Sequence, residues 1–146
     1  RFVLCRPGGK VSAPWSEGGF YAQGLSEDGT LWGWKDSLTL LMIRPDGSAA
    51  AEFDVSKAIP AAGRRKQREP FPILLRVQDG DLWVIVRGRW LARMDEKSGG
   101  LKARWKLPAR PKDDESSVQP AAEGFFLHDG ERIWFVDWEG RGRKII

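Results

Sequence analysis

Short apolar stretches bounded by Gly, Asp and Pro recur along the chain: Gly19 to Leu25, Leu40 to Ile43, Ala50 to Val55, Ile73 to Val77, Leu82 to Val86, Trp90 to Met94, Leu101 to Leu107 and Gly124 to Leu127. Runs of this length between turn residues read as β-strands, and neither helical caps nor a 3.6-residue apolar period accompanies them. Leu82 to Val86 is apolar on both faces, with Leu82, Val84 and Val86 on one and Trp83 and Ile85 on the other. That pattern predicts a strand covered on both sides. Asp-Gly and Gly-Gly supply the positive φ of tight hairpins, and Pro45 pre-sets φ in the turn Arg44-Pro45-Asp46-Gly47. The chain is therefore read as consecutive antiparallel hairpins.

A repeat runs through these hairpins. Asp28-Gly29-Thr30-Leu31-Trp32, Asp79-Gly80-Asp81-Leu82-Trp83 and Asp129-Gly130-Glu131-Arg132-Ile133-Trp134 place a Trp every 51 residues. A second hairpin follows each of the first two tryptophans, so that four strands make one unit. Small four-stranded sheets that cannot bury their own faces have to cover one another, which is the logic of a β-propeller. The pattern of apolar strand, Asp-Gly-x-Leu-Trp, second apolar strand, Leu-x-Arg-x-Asp and a Gly turn resembles the blades of the NHL, SMP-30 and TolB-like propeller superfamily. The resemblance implies an all-β fold of four-stranded antiparallel blades in an incomplete ring, with two full and two partial blades. Residues 1–15 are expected to form the outer hairpin of a partial blade, 19–55 and 71–107 a blade each, and 123–146 a partial blade with an inner hairpin and a third strand at Arg143 to Ile146. The recurring tryptophans are expected to pack blade against blade from one strand position. A first residue Arg1 suggests a processed or partial chain, and the open ends fit a fragment of a longer propeller, a half-ring closed by another copy, or an arc docked in a larger assembly.

Composition narrows the classes. A hydrophobic content of 41% with 11% aromatics excludes a disordered chain, and no apolar run is long enough to span a bilayer. One cysteine, Cys5, excludes an internal disulfide and a Cys/His zinc framework. There is no Asn, hence no N-glycosylation acceptor. A net charge of +4, from 24 basic and 20 acidic side chains, does not support a dedicated nucleic-acid binder.

The charge is locally concentrated all the same. Lys57 to Pro70 carries Arg64, Arg65, Lys66 and Arg68, and Pro108 to Pro120 carries Asp113, Asp114 and Glu115; both read as loops. In the propeller geometry that the resemblance implies, the basic loop shares a face with the turns that hold Trp34 and with Arg87-Gly88-Arg89-Trp90. Six cations, Arg64, Arg65, Lys66, Arg68, Arg87 and Arg89, interleaved with Trp34 and Trp90, are the candidate partner-binding residues. Guanidinium beside indole suits an acidic protein surface or another anionic polymer through forked hydrogen bonds and cation–π contact.

Catalytic chemistry finds little support. His128 is the sole histidine and no Ser elbow motif accompanies it, so no nucleophilic triad is assigned. Cys5 in an apolar strand reads as an inert thiol. Asp28, Asp79 and Asp129 each precede a Gly at a hairpin, where turn capping accounts for them. Asp113, Asp114 and Glu115 lack the alternation and the twelfth-position Glu of an EF-hand. The SMP-30 branch that the chain resembles hydrolyses lactones with a metal held by Glu and Asn. Here the inner strands offer Gln23, Arg76, Gln78 and His128, with Glu123 ahead of the last of them. No catalytic residue, metal or cofactor is assigned. The expectation is a non-catalytic interaction scaffold, bound by a protein partner or by further copies at its open edges. The alternatives are a piece of a propeller hydrolase or lyase with its catalytic residues elsewhere, or an anionic carbohydrate-binding module. The resemblance also implies an extracytoplasmic location.

Overall fold

The computed structural model describes residues 21–25, 28–36, 38–60, 72–113 and 115–146. These are arranged as three four-stranded antiparallel sheets, the architecture expected from the hairpin pattern. The hairpin expected at 1–15 lies outside the described residues. Two compact units divide the chain, residues 1–55 and 56–146.

The first unit holds β1 (Tyr21–Leu25), β2 (Leu31–Trp34), β3 (Thr39–Ile43) and β4 (Ala49–Asp54), joined in sequence order. Its turns are shaped by aspartate. The Thr30 amide donates to Asp28 Oδ1 at 2.9 Å, and Gly29 takes φ 82°. Asp36 accepts from the Leu38 and Thr39 amides, and Asp46 from the Ser48 amide and hydroxyl. Each carboxylate satisfies turn amides that the strands leave unpaired. Between the turns Trp32, Trp34, Leu40 and Ile43 are fully buried, and Trp32 stacks on Phe53 with ring centroids 6.2 Å apart.

The second unit contains two sheets. The first has β5 (Ile73–Gln78), β6 (Asp81–Val86), β7 (Trp90–Asp95) and β8 (Leu101–Lys106). Asp79 and Gly80, at φ 52° and 78°, make the two-residue turn between β5 and β6. Two successive positive φ values match the right-handed twist of paired strands. Every residue of β6 is buried, as its two-faced apolar pattern predicts. Trp83 and Ile85 join Ile73, Leu75, Leu91 and Leu107 in a core completed by Phe125, Leu127, Val136 and Trp138 from the next sheet.

That next sheet comprises β9 (Val118–Ala121), β10 (Gly124–His128), β11 (Ile133–Asp137) and β12 (Gly142–Lys144). It has four strands, because Val118–Ala121 pairs with β10 from inside the segment read as a loop from its prolines. Pro120 is tolerated because β9 is an edge strand, where a missing N–H breaks no ladder. The added strand changes the meaning of the repeat. Asp28-Gly29 and Asp79-Gly80 connect first and second strands, whereas Asp129-Gly130 connects second and third. Trp134 therefore lies on a third strand and does not occupy the position of Trp32 and Trp83. It is partly buried, and its indole N–H donates to Asp129 Oδ2 at 2.9 Å. That bond, with the Glu131 and Arg132 amides, holds the Asp129 carboxyl at about 2.

Candidate functional site

The basic turn is built by the β6–β7 hairpin. Arg87 and Gly88 take φ 55° and 57°, and the Arg89 amide donates to the Val86 carbonyl at 3.2 Å. Gly suits this backbone; a long side chain at positive φ is uncommon, so Arg87 occupies a place the hairpin alone does not favour. The Leu107 amide donates to the Arg89 carbonyl at 2.8 Å, which ties the chain leaving β8 to the turn. Arg110 Nη2 then reaches the Arg87 carbonyl at 3.5 Å. Trp90 opens β7 half-buried, with the Arg104 guanidinium carbon 5.4 Å from its ring centroid and Lys106 opposite it in register. Arg104 also donates to the Ala58 carbonyl at 3.4 Å.

Of the eight residues proposed from sequence, the structure brings Arg87, Arg89 and Trp90 together at this turn. Arg110 and Arg104 join them, unrecognised earlier because they come from the linker and from the outer strand. Arg64, Arg65, Lys66 and Arg68 lie outside the described residues. Trp34 corrects an expectation. It is the last residue of β2 and fully buried in the first unit, since pairing with Tyr21 and Leu40 draws it into the sheet rather than out on a turn.

At the opposite end of the same sheet Arg93 and Lys102 are neutralised within the chain. Asp81, 3% exposed, accepts from Arg93 Nε at 2.7 Å and also pairs with Lys102, which bridges on to Asp95 at 3.4 Å. The Lys102 bond, reinforced by Arg93, holds the Asp81 carboxyl below its ordinary 3.8 against the opposing effect of burial. A depressed folded-state value contributes stability that is present above the unfolded value and lost as pH falls through the folded one. Asp81→Asn is therefore expected to lower stability by about 2 kcal/mol at pH 7. The urea midpoints of the two proteins should converge once the pH falls below the folded-state value, and a constant gap down to that point would refute the assignment.

A second feature lies at the Asp79 end of β5. The Arg76 guanidinium lies against two indoles set edge to face, 3.8 Å from the Trp138 centroid and 4.2 Å from that of Trp83. It borders a cavity of about 360 Å³ lined by Gln78, Pro120, Ala121, Ala122 and Trp138. The pocket is fixed by two indole bonds: Trp83 Nε1–H donates to the Trp138 carbonyl at 3.3 Å, and Trp138 Nε1–H to the Ala122 carbonyl at 2.9 Å. Sequence reasoning counted Arg76 and Gln78 only as a lack of carboxylates. A cation inside the apolar run Ile-Leu-Leu-Arg-Val was the available signal. Among the described residues, no three His, Cys, Asp or Glu side chains gather to hold a metal, and no helix is long and apolar enough to cross a membrane.

No protein-family model matches the chain, and no curated protein does. Solved structures do. BBS1N, crystallised in complex with ARL6DN, aligns over 85% of this chain and 37% of its own, with a TM-score of 0.54 and 15% identity. Apo AztD from Citrobacter koseri aligns over 97% of this chain and 40% of its own, with a TM-score of 0.54 and 11% identity. The chain thus spans about two fifths of the length of these structures. Three consecutive four-stranded antiparallel sheets and these alignments show the fold of this chain to be that of a partial β-propeller.

Proposed function

We propose that the chain is an interaction module that binds an acidic protein surface through the turn carrying Arg87, Arg89 and Trp90, extended by Arg104 and Arg110. The observation that carries this reading is the contrast between the two ends of one sheet. Arg93 and Lys102 are satisfied by Asp81 and Asp95, whereas Arg89, Arg104 and Arg110 have no carboxylate within ion-pair distance among the described residues. Cations that find no counter-charge among the described residues, beside a half-buried indole, are suited to forked bonds with carboxylates and to cation–π contact. A further support is that BBS1N, a chain of similar fold, is found in complex with a second protein. The basic loop with Arg64, Arg65, Lys66 and Arg68 is proposed to extend the same surface.

The test is titration of a labelled polyglutamate peptide against the protein and against Arg89→Glu/Arg110→Glu. Reversing two exposed charges should weaken binding about tenfold and flatten its dependence on salt. Arg64→Glu/Arg65→Glu provides a second pair on the loop. Equal binding by both variants and the parent would overturn the reading, and a sulfated oligosaccharide that outcompetes the peptide would assign the surface to an anionic carbohydrate.

A further inference from the structure

We infer that the cavity beside Arg76 is a binding site for a small organic carboxylate with an apolar body, separate from the basic turn. Arg76 carries a positive charge into a partly buried position, and among the described residues no carboxylate lies within ion-pair distance of it. Asp81 is occupied by Arg93 and Lys102 and Glu139 by Arg141, while Asp79, the carboxylate that acts most strongly on Arg76, does so at a distance and forms no ion pair with it. Two indole faces compensate part of the desolvation of the guanidinium. All five of its N–H donors lie in one plane, so its hydrogen bonds form only at the edge of that plane. Its Nε atom is buried and has no hydrogen-bond partner, and the residue borders the cavity.

A carboxylate is the anion whose two coplanar oxygens match that edge as a fork. Gln78, two residues along β5, lines the same cavity and adds an amide that donates or accepts. The remaining lining residues, Pro120, Ala121, Ala122 and Trp138, offer apolar surface to the body of the ligand. A volume of about 360 Å³ admits a molecule the size of benzoate or one terminal residue of a peptide. Burial lowers the Arg76 pKa below the ordinary guanidinium range, and a guanidinium still remains protonated at neutral pH.

The site is tested by titrating benzoate and its neutral isostere benzamide while following the indole N–H resonances of Trp83 and Trp138, whose hydrogen bonds frame the cavity. Saturable shifts are expected with benzoate, and binding at least about tenfold weaker with benzamide. A tetrapeptide with a free C-terminal carboxyl, set against its amidated form, distinguishes the source of the carboxylate. Tighter binding of the free acid than of benzoate assigns the site to a peptide terminus, and the reverse order to a free small molecule. Arg76→Lys should weaken benzoate about tenfold, since an ammonium neither forks nor stacks. Gln78→Glu, at an exposed position, places an internal carboxylate beside Arg76 and should abolish binding without touching the core. Equal affinity for benzamide, or benzoate binding that survives Gln78→Glu, would overturn the proposal. Arg89→Glu/Arg110→Glu should leave benzoate binding unchanged, so this site and the basic surface fail separately.

Discussion

Replacing Trp138 by alanine is expected to destabilise the 56–146 unit by about 4 kcal/mol. The residue belongs to the β11–β12 turn, yet it is only 8% exposed, because its ring lies between Trp83 and Phe125 at centroid distances of 5.7 and 5.8 Å. Its removal deletes one of the two tryptophans through which the two sheets meet, opens space beside Trp83 and Phe125, and takes away one of the two indoles against the Arg76 guanidinium. It also strands the Ala122 carbonyl, which the indole N–H now satisfies at 2.9 Å. Trp138→Phe separates these contributions. It retains most of the packing and loses the donor, so about 1.5 kcal/mol is expected. Urea denaturation monitored by circular dichroism measures both, and a Trp138→Ala midpoint within error of the parent would show that the turn is not part of the core.

The reach of the sequence is clearest where one physical constraint acts alone. Leu82 to Val86 announced a doubly covered strand because both faces are apolar, and all of β6 is buried. Asp28 and Asp129 were legible as turn-formers for the same reason, since each accepts from an amide two residues ahead, a purely local interaction that Asp36, Asp46, Asp95 and Asp137 share. Asp79, by contrast, serves its turn through a positive φ and not through its carboxylate. Strand order needs more than local signals. The Trp spacing placed Trp134 level with Trp32 and Trp83, but spacing does not count strands. Val118–Ala121, with Pro120 in it, becomes a strand only because Phe125 and Leu127 stand opposite. The candidate sites divide in the same way. Arg87 and Arg89 share a hairpin and were found from their own turn. Arg110 reaches that turn from the linker, and Arg76 meets Trp138 across 62 residues, encounters set by tertiary packing.

Gly124→Ala is expected to have an effect of at least about 3 kcal/mol, although one methyl group is added and no contact is deleted. Gly124 opens β10 between Ala121 of β9 and Asp137 of β11, and it is buried. A Cβ there would overlap the Val136 carbonyl oxygen and approach Asp137 Cα at 2.8 Å and the Val136 carbonyl carbon at 2.9 Å. These are backbone atoms of a paired strand, so no rotamer relieves the overlap. Either β11 moves away from β10 or the pairing opens at that end. The comparison is Gly80→Ala, where φ is 78° and nothing lies within 4 Å of the added carbon. Only the left-handed backbone penalty acts there, about 1 kcal/mol. Amide hydrogen exchange locates the difference. Gly124→Ala should speed exchange across residues 124–128 and 133–137 far more than Gly80→Ala does across β5 and β6. Because Trp138 follows the displaced strand directly, the same substitution should shift its indole N–H resonance and loosen the stack on Arg76. Protection in β11 equal to the parent would mean that the third sheet tolerates a side chain at 124 and that its close strand approach does not position Trp138.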